Sequence, residues 1–180
     1  MELSFLRSCK RELINGYAKK RHPFRYFSLA TTSNGMSRQR TVVLRKLLSD
    51  FTFVIYTDSR SQKVMDIRNN NSVSGLFYHP KKLLQIRVEG KAEIITDKAI
   101  LNEYWKNINE NSRKDYTTYL KPGSLINNPD DVSYNLEANN FCVIHIIPNS
   151  IEYLQLKRPN HLRILFTKSG ADWKGQFIVP

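Results

Sequence analysis

The sequence predicts one mostly antiparallel β-barrel with helices on its outside, an open sandwich being the alternative. Three observations carry this. Short runs rich in β-branched and aromatic residues recur along the chain, separated by turn signals. An amphipathic stretch precedes them, and two or three further helical stretches interrupt them. The 180 residues, 41% hydrophobic and 24% charged, suffice for a buried core and exclude a disordered or collagen-like chain. No repeat or low-complexity linker divides the sequence. A single domain over 1–180 is therefore expected, with an N-terminal helix over 1–20 and a helical and loop insertion over 97–140.

In order along the chain, Leu3, Leu6, Cys9, Leu13 and Tyr17 recur at spacings of three and four, the pattern of an amphipathic helix ending near Gly16 to Lys20. Strand texture follows at 24–32, 39–48, 51–57, 72–78 and 83–95. Asn34-Gly35 and Ser49-Asp50 are tight-turn signals, so the first three strands should form an antiparallel meander. A short helix should start after Asp58 and carry Val64 and Ile67 inward. Thr96-Asp97 opens another through 107, with Ile100, Leu101, Tyr104 and Ile108 facing inward. Polar residues over 109–140 read as loops around a short helix. Strands return at 141–147, 151–156, 162–167 and 173–179.

Lys and Arg number 28 against 16 Asp and Glu, so the chain carries +12 and attracts anions. The basic residues are spread out, and the densest group, Lys19-Lys20-Arg21, suits the carbonyl end of a helix. No run approaches the roughly 18 apolar residues of a membrane-spanning helix. The N-terminus lacks a secretory apolar run, which reads as cytoplasmic. Cys9 and Cys142 form no CxxC pattern and read as small buried thiols. No GxSxG, HExxH, GxGxxG or GxxxxGK[ST] occurs, and His22, His79, His145 and His161 stand alone, so metal and nucleophile chemistry are poorly supported.

Phosphate-suited segments remain. Arg40-Thr41-Val42-Val43-Leu44-Arg45-Lys46 places two guanidinium groups in one predicted strand. Their opposite parity points them to opposite faces, so a shared ligand needs a strand end or a bulge. Tyr56-Thr57-Asp58-Ser59-Arg60-Ser61-Gln62-Lys63 adds hydroxyls, a cation and a helix N-terminus. Gln85-Ile86-Arg87-Val88-Glu89-Gly90-Lys91-Ala92-Glu93 follows in order.

Together these segments resemble the flavin mononucleotide (FMN) core of the pyridoxamine 5'-phosphate oxidase family. Ile151-Glu152-Tyr153, Arg163-Ile164-Leu165-Phe166, Trp173 and Pro180 continue the resemblance. It implies an FMN-binding split β-barrel that forms a homodimer, with FMN in clefts between the subunits. By that resemblance Arg40, Ser61 and Lys63 hold the phosphate, and Tyr56 and Thr57 lie along the ribityl chain. Val42, Val43, Leu44 and Arg45 pass beside the ring and its tail, and Gln85, Arg163 and Ser124 complete the contacts, Gln85 and Arg163 from the partner subunit. Arg45 and His161 are the implied substrate contacts, the substrate being a small molecule such as pyridoxamine or pyridoxine 5'-phosphate that gives hydride to the flavin.

The sequence also departs from the family. Gln62, still counted among the cofactor contacts, replaces a second phosphate-binding arginine, for which Arg60 is a candidate substitute. Leu154 replaces an aromatic residue against the flavin. Arg158-Pro159-Asn160-His161-Leu162-Arg163 matches the substrate segment in part, and the 96–109 helix lacks the substrate-phosphate arginine, Arg113 lying late for it. Alternatives are a related flavin reductase or a non-catalytic flavin-binding protein and, from a different class, a basic barrel that binds nucleic acid. Convergence of Arg40, Arg45, Lys63 and Arg163 on one pocket would favour flavin.

Overall fold

A computed structural model describes residues 2–135 and 137–180. Helix α1 (Glu2–Ala18) turns Leu6, Cys9 and Leu13 into the core. Leu3, expected in the same stripe, is exposed, because the larger Phe5 takes the contact against Tyr153 and Phe177. Strands β1 (Tyr26–Ser33) and β2 (Met36–Val43) are joined by Asn34 and Gly35, both at positive φ (50° and 78°). A two-residue turn of that hand matches strand twist and fixes the hairpin register from Ser33↔Met36 to Tyr26↔Val43.

The expected three-stranded meander stops there. After Val43 the chain leaves the ladder, the Leu44 amide donating to the Arg25 carbonyl (2.9 Å) and the Arg45 amide to that of Val54 (2.9 Å). Strands β3 (Lys46–Leu47) and β4 (Phe53–Asp58) form a second hairpin, and β4 pairs with β7 (Phe141–Gln155) across the sheet. The reason is burial. Phe53, Val54 and Ile55 need cover on both faces of β4, which β2, polar and exposed over most of its length, cannot give.

Strands β5 (Ser72–His79) and β6 (Leu84–Ile94) complete the order β2-β1-β5-β6-β7-β4-β3, and β8 (Leu162–Ser169) and β9 (Asp172–Phe177) extend from β7. Residues 141–147 and 151–156 belong to one long strand rather than two. It passes through Pro148, where its register with β6 shifts at Glu89/Gly90. A Cβ on residue 90 would run into the Ile147 carbonyl oxygen and lie 2.7 Å from Pro148 Cα, so the bulge requires glycine.

Inside the curled sheet sit Phe24, Phe27, Phe53 and Phe77, with Phe27 and Phe77 stacked at 4.4 Å. Helix α2 (Gln62–Asn69) follows β4 closely and buries Val64 and Ile67. Helix α3 (Lys98–Lys106) is capped by Asp97, which accepts the amides of Ala99 (2.8 Å) and Ile100 (3.0 Å), and α4 (Glu110–Arg113) follows. Leu101, Tyr104 and Ile108 are half-buried as expected. Ile100 is exposed, and Trp105 takes the inward place against Phe141 at 5.3 Å. The architecture is a mostly antiparallel split barrel with outer helices. Both cysteines are free and buried, and burial pushes the Cys142 thiol up to about 11. Among the described residues no helix is long and apolar enough to cross a membrane.

Candidate functional site

The short connection between β4 and α2 brings hydroxyls and cations together. Ser61 caps α2 without a side-chain bond to its amides. Its Oγ instead lies 3.1 Å from Thr57 Oγ1, and Lys63 Nζ donates to Thr57 Oγ1 at 2.8 Å. Arg40 shares the inward face of β2 with its register partner Leu29, so its guanidinium reaches the same region. It donates to Thr31 Oγ1 (2.7 Å) and the Leu29 carbonyl (3.2 Å), and stands 3.4 Å from Asp66 Oδ2. Asp66 also accepts from Thr31 (2.7 Å) and from the Gln62 amide (3.0 Å).

Burial pushes Lys63 below the ordinary lysine range, and the nearby Arg40 charge adds to the shift. At Asp66, burial opposes ionisation, but the Gln62 and Thr31 hydrogen bonds with the Arg38 and Arg40 charges outweigh it and hold the carboxyl low. Arg40 is thus held against the buried Asp66 carboxylate, one turn into α2, while Lys63 lies among the Thr57 and Ser61 hydroxyls at the start of that helix, whose dipole also favours an anion. The set suits a phosphate dianion. Sequence reasoning missed Asp66 and Thr31. The available signal was the Gln62–Asp66 spacing of four, which puts a carboxylate on the helix face beside Gln62.

Arg60 does not substitute for the missing arginine. Its guanidinium is held by Asp58 (2.7 Å) and by the carbonyls of Thr118 and Tyr119 (2.8 Å each). The two-residue spacing to a buried carboxylate captures it and fastens the 118–120 segment to the start of α2. Ser124 lies farther along that segment, in a turn where its amide donates to the Lys121 carbonyl at 3.1 Å.

Arg45 belongs to a second cluster on the other face of β4. Its guanidinium stacks over Tyr56 at 5.4 Å, Tyr56 meets Tyr104 at 5.6 Å, and Tyr104 Oη lies 3.2 Å from His145 Nε2. Burial raises Tyr56 to about 12 and pushes His145 down, so both are neutral near pH 7. Arg45, Tyr56 and Tyr104 line a cavity of about 660 Å³ between the end of α1, β3 and α3. Leu44 reaches the same cavity, while Val42 is buried in the core. Arg113 stacks on Trp105 at 5.4 Å and donates to the Trp105 and Lys106 carbonyls (3.4 Å each), and it does not line this cavity.

Gln85 and Arg163 occupy a third place. Register pairs Gln85 with Leu154 and Leu154 with Arg163, one row on the outer face of the sheet. Val43 shares this face through Tyr26. Beside the row, Glu152 is only 3% exposed beneath Arg87 (2.8 Å) and Arg163 (3.0 Å). His161 is exposed in the β7–β8 loop and accepts the Lys157 amide at 3.2 Å. Arg40, Arg45, Lys63 and Arg163 therefore do not converge on one pocket within a chain.

Glu12, His22 and His79 form a metal-like group, their ligand atoms within 4.8 Å of one another. Their chemistry does not suit a metal. Nδ1 of His22 accepts the Phe24 amide (3.1 Å) and Nδ1 of His79 accepts the Lys82 amide (3.3 Å), which leaves the proton of each neutral ring on Nε2. Lys82 Nζ, 2.6 Å from Glu12 Oε1, already supplies the opposing charge. Burial resists ionisation of Glu12, but Lys82 and His22 outweigh it and hold the carboxyl low.

A family model described as pyridoxamine 5'-phosphate oxidase, FMN-binding domain, matches residues 4–96, just over half of the chain. That span holds Arg40, Ser61, Lys63 and Gln85. The chain is 26% identical over 169 residues to the pyridoxine/pyridoxamine 5'-phosphate oxidase of Pelagibacter ubique (strain HTCC1062), covering 85% of this chain and 80% of that one. Its structure is similar to a pyridoxamine 5'-phosphate oxidase-related, FMN binding protein from Nostoc punctiforme PCC 73102, with a TM-score of 0.82, 23% identity and full coverage of both chains. PhzG from Burkholderia lata 383 follows at a TM-score of 0.78 and 17% identity, covering 99% and 92%. The solved structures speak for the split barrel, and the matched FMN-binding core goes further: this chain belongs to the pyridoxamine 5'-phosphate oxidase family of FMN-binding proteins.

Proposed function

We propose that the chain is an FMN-dependent oxidoreductase working as a homodimer, on a small molecule such as pyridoxamine or pyridoxine 5'-phosphate. The observation that carries this reading is the surplus of positive charge around the start of α2, where Asp66 stands beside Arg40 and the one carboxylate that acts on the desolvated Lys63, Asp58, is already paired with Arg60. Arg40, Ser61, Lys63 and the Thr57 hydroxyl hold the phosphate there, with the Gln62 main chain at the helix start. Tyr56 follows the ribityl chain, and Leu44 and Arg45 lie along the ring and its tail, with Val43 on the outer face beside the Gln85 row and Val42 packing in the core behind them.

The dimer accounts for the residues that one chain keeps apart. Tyr26, Leu76 and Tyr78, each 40–54% exposed, flank the row of Gln85 and Arg163 on the outer sheet face, an apolar band around a buried carboxylate. Pairing through this face brings the partner's Gln85 and the partner's Arg163 to the cofactor held by the first chain. An amide such as Gln85 donates and accepts at a polar ring edge.

Bound FMN supplies the two-electron acceptor, chemistry that belongs to the cofactor. The protein positions the reactants, and no side chain is required as acid or base. A pyridoxamine phosphate amine carbon loses two electrons and two protons, water hydrolyses the resulting imine to aldehyde and ammonia, and oxygen takes the electrons and protons as hydrogen peroxide. Arg45 and the partner's His161 contact the substrate.

Anaerobic addition of pyridoxamine 5'-phosphate to the FMN-loaded protein is expected to bleach the flavin's visible band, and air to restore it with release of pyridoxal 5'-phosphate. An unchanged band would remove this substrate. Bleaching by a reduced nicotinamide alone would favour the related flavin reductase.

A further inference from the structure

The cavity at Arg45 carries a surplus of positive charge. Lys20, Arg25, Arg45 and Lys46 line it, with Glu103 as the acidic residue in its wall. Arg40, Arg60, Arg87, Arg163 and Lys82 each lie within ion-pair distance of a carboxylate. Among the described residues, none of the four cavity cations has such a partner, and Arg45 Nε is buried with no hydrogen-bond partner at all. Arg25 only reaches the Tyr17 carbonyl, at 3.4 Å. Tyr56 and Tyr104 give the same cavity flat, half-buried walls. Unpaired cations around a concave site raise the local concentration of anions, and partly desolvated walls strengthen their hold.

We propose that Lys20 and Arg25, at the end of α1 and just before β1, select the substrate by binding an acidic group, a phosphate monoester or a carboxylate, inside this cavity. That the ligand is the enzyme's substrate rests on the flavin reading; the anion binding does not. Lys20 and Arg25 do here what α3 and α4 do not, since Ile108 faces the cavity from the end of α3 and Arg113 is turned onto Trp105. The ring of the ligand lies against the tyrosines, and its acidic group points toward the end of α1.

The test is calorimetric titration of inorganic phosphate, and separately of benzoate, into the FMN-loaded protein, with chloride holding the ionic strength fixed. Loading with FMN fills the α2 site, so phosphate reports on the cavity. At least one of the two anions is expected to bind, phosphate alone pointing to a phosphate monoester and benzoate alone to a carboxylic acid. The K20Q/R25Q variant should weaken that binding by about tenfold or more while FMN stays bound, as the loss of charge-assisted contacts requires. K20E, at an exposed position, repeats the test without touching the Arg25 contact to α1. Failure of the unsubstituted protein to bind either anion, or equal binding by the variants, overturns the proposal. If the protein does not take up FMN, the flavin reading fails, and the same titration on K63M protein reads the cavity alone.

Discussion

Lys63→Met is expected to lower FMN affinity about a hundredfold, the scale of one charge-assisted phosphate contact, while leaving the apoprotein at least as stable. Methionine keeps most of the buried stem and removes an ammonium that burial and Arg40 already disfavour. Arg40→Ala should abolish tight FMN binding as well, but with a different signature. It deprives the buried Asp66 carboxylate of its nearest cation and should cost about 3 kcal/mol of stability. Fluorescence titration with FMN and thermal melts of both apoproteins separate the two effects. Lys63 also makes apoprotein stability depend on pH. Its folded pKa lies below its unfolded value of about 10.5, so the unfolded chain binds more protons between them and stability rises with pH across that window. Lys63→Met should remove this rise. Unchanged FMN affinity in Lys63→Met would show that the phosphate lies elsewhere.

Gly90→Val should cost more than about 3 kcal/mol and leave little folded protein, since a side chain at 90 meets the backbone of Ile147 and Pro148 rather than a movable side chain. The damage would not stay local. The bulge lets one strand serve β4 through residues 141–146 and β8 through 150–155, so displacing it shifts both the Thr57 end of the cradle and the row that carries Arg163. The urea midpoint measures the loss. A Gly90→Val variant with an unchanged midpoint would mean that β7 does not bend as described.

Local features of this fold were legible from the sequence. Asn34-Gly35 specifies its hairpin within four residues, and the spacing of Leu6, Cys9 and Leu13 specifies the buried face of α1. The position of β4 was not legible, because its partner β7 lies far along the chain and pairing at that distance leaves no periodic trace. Arg60 shows the same limit at the site. Its type and position suited a phosphate contact, yet the neighbouring Asp58 decides what it binds. Arg40, Ser61 and Lys63 lie near one another at the start of α2, whereas Asp66, which holds Arg40 there, carries no motif. The separation of Gln85 and Arg163 from the cradle follows from strand register, which pattern alone does not supply.

The central claim is that one flavin site takes Lys63 from one chain and Gln85 and Arg163 from the other. A heterodimer of Lys63→Met and Gln85→Ala/Arg163→Gln subunits, purified through two different tags, tests it by FMN titration. Both variants alone should bind FMN weakly, and the heterodimer should regain one tight site, built from the intact cradle of one subunit and the intact row of the other. A heterodimer with no tight site, or a Gln85→Ala/Arg163→Gln homodimer that binds FMN as the unsubstituted protein does, would contradict the shared site.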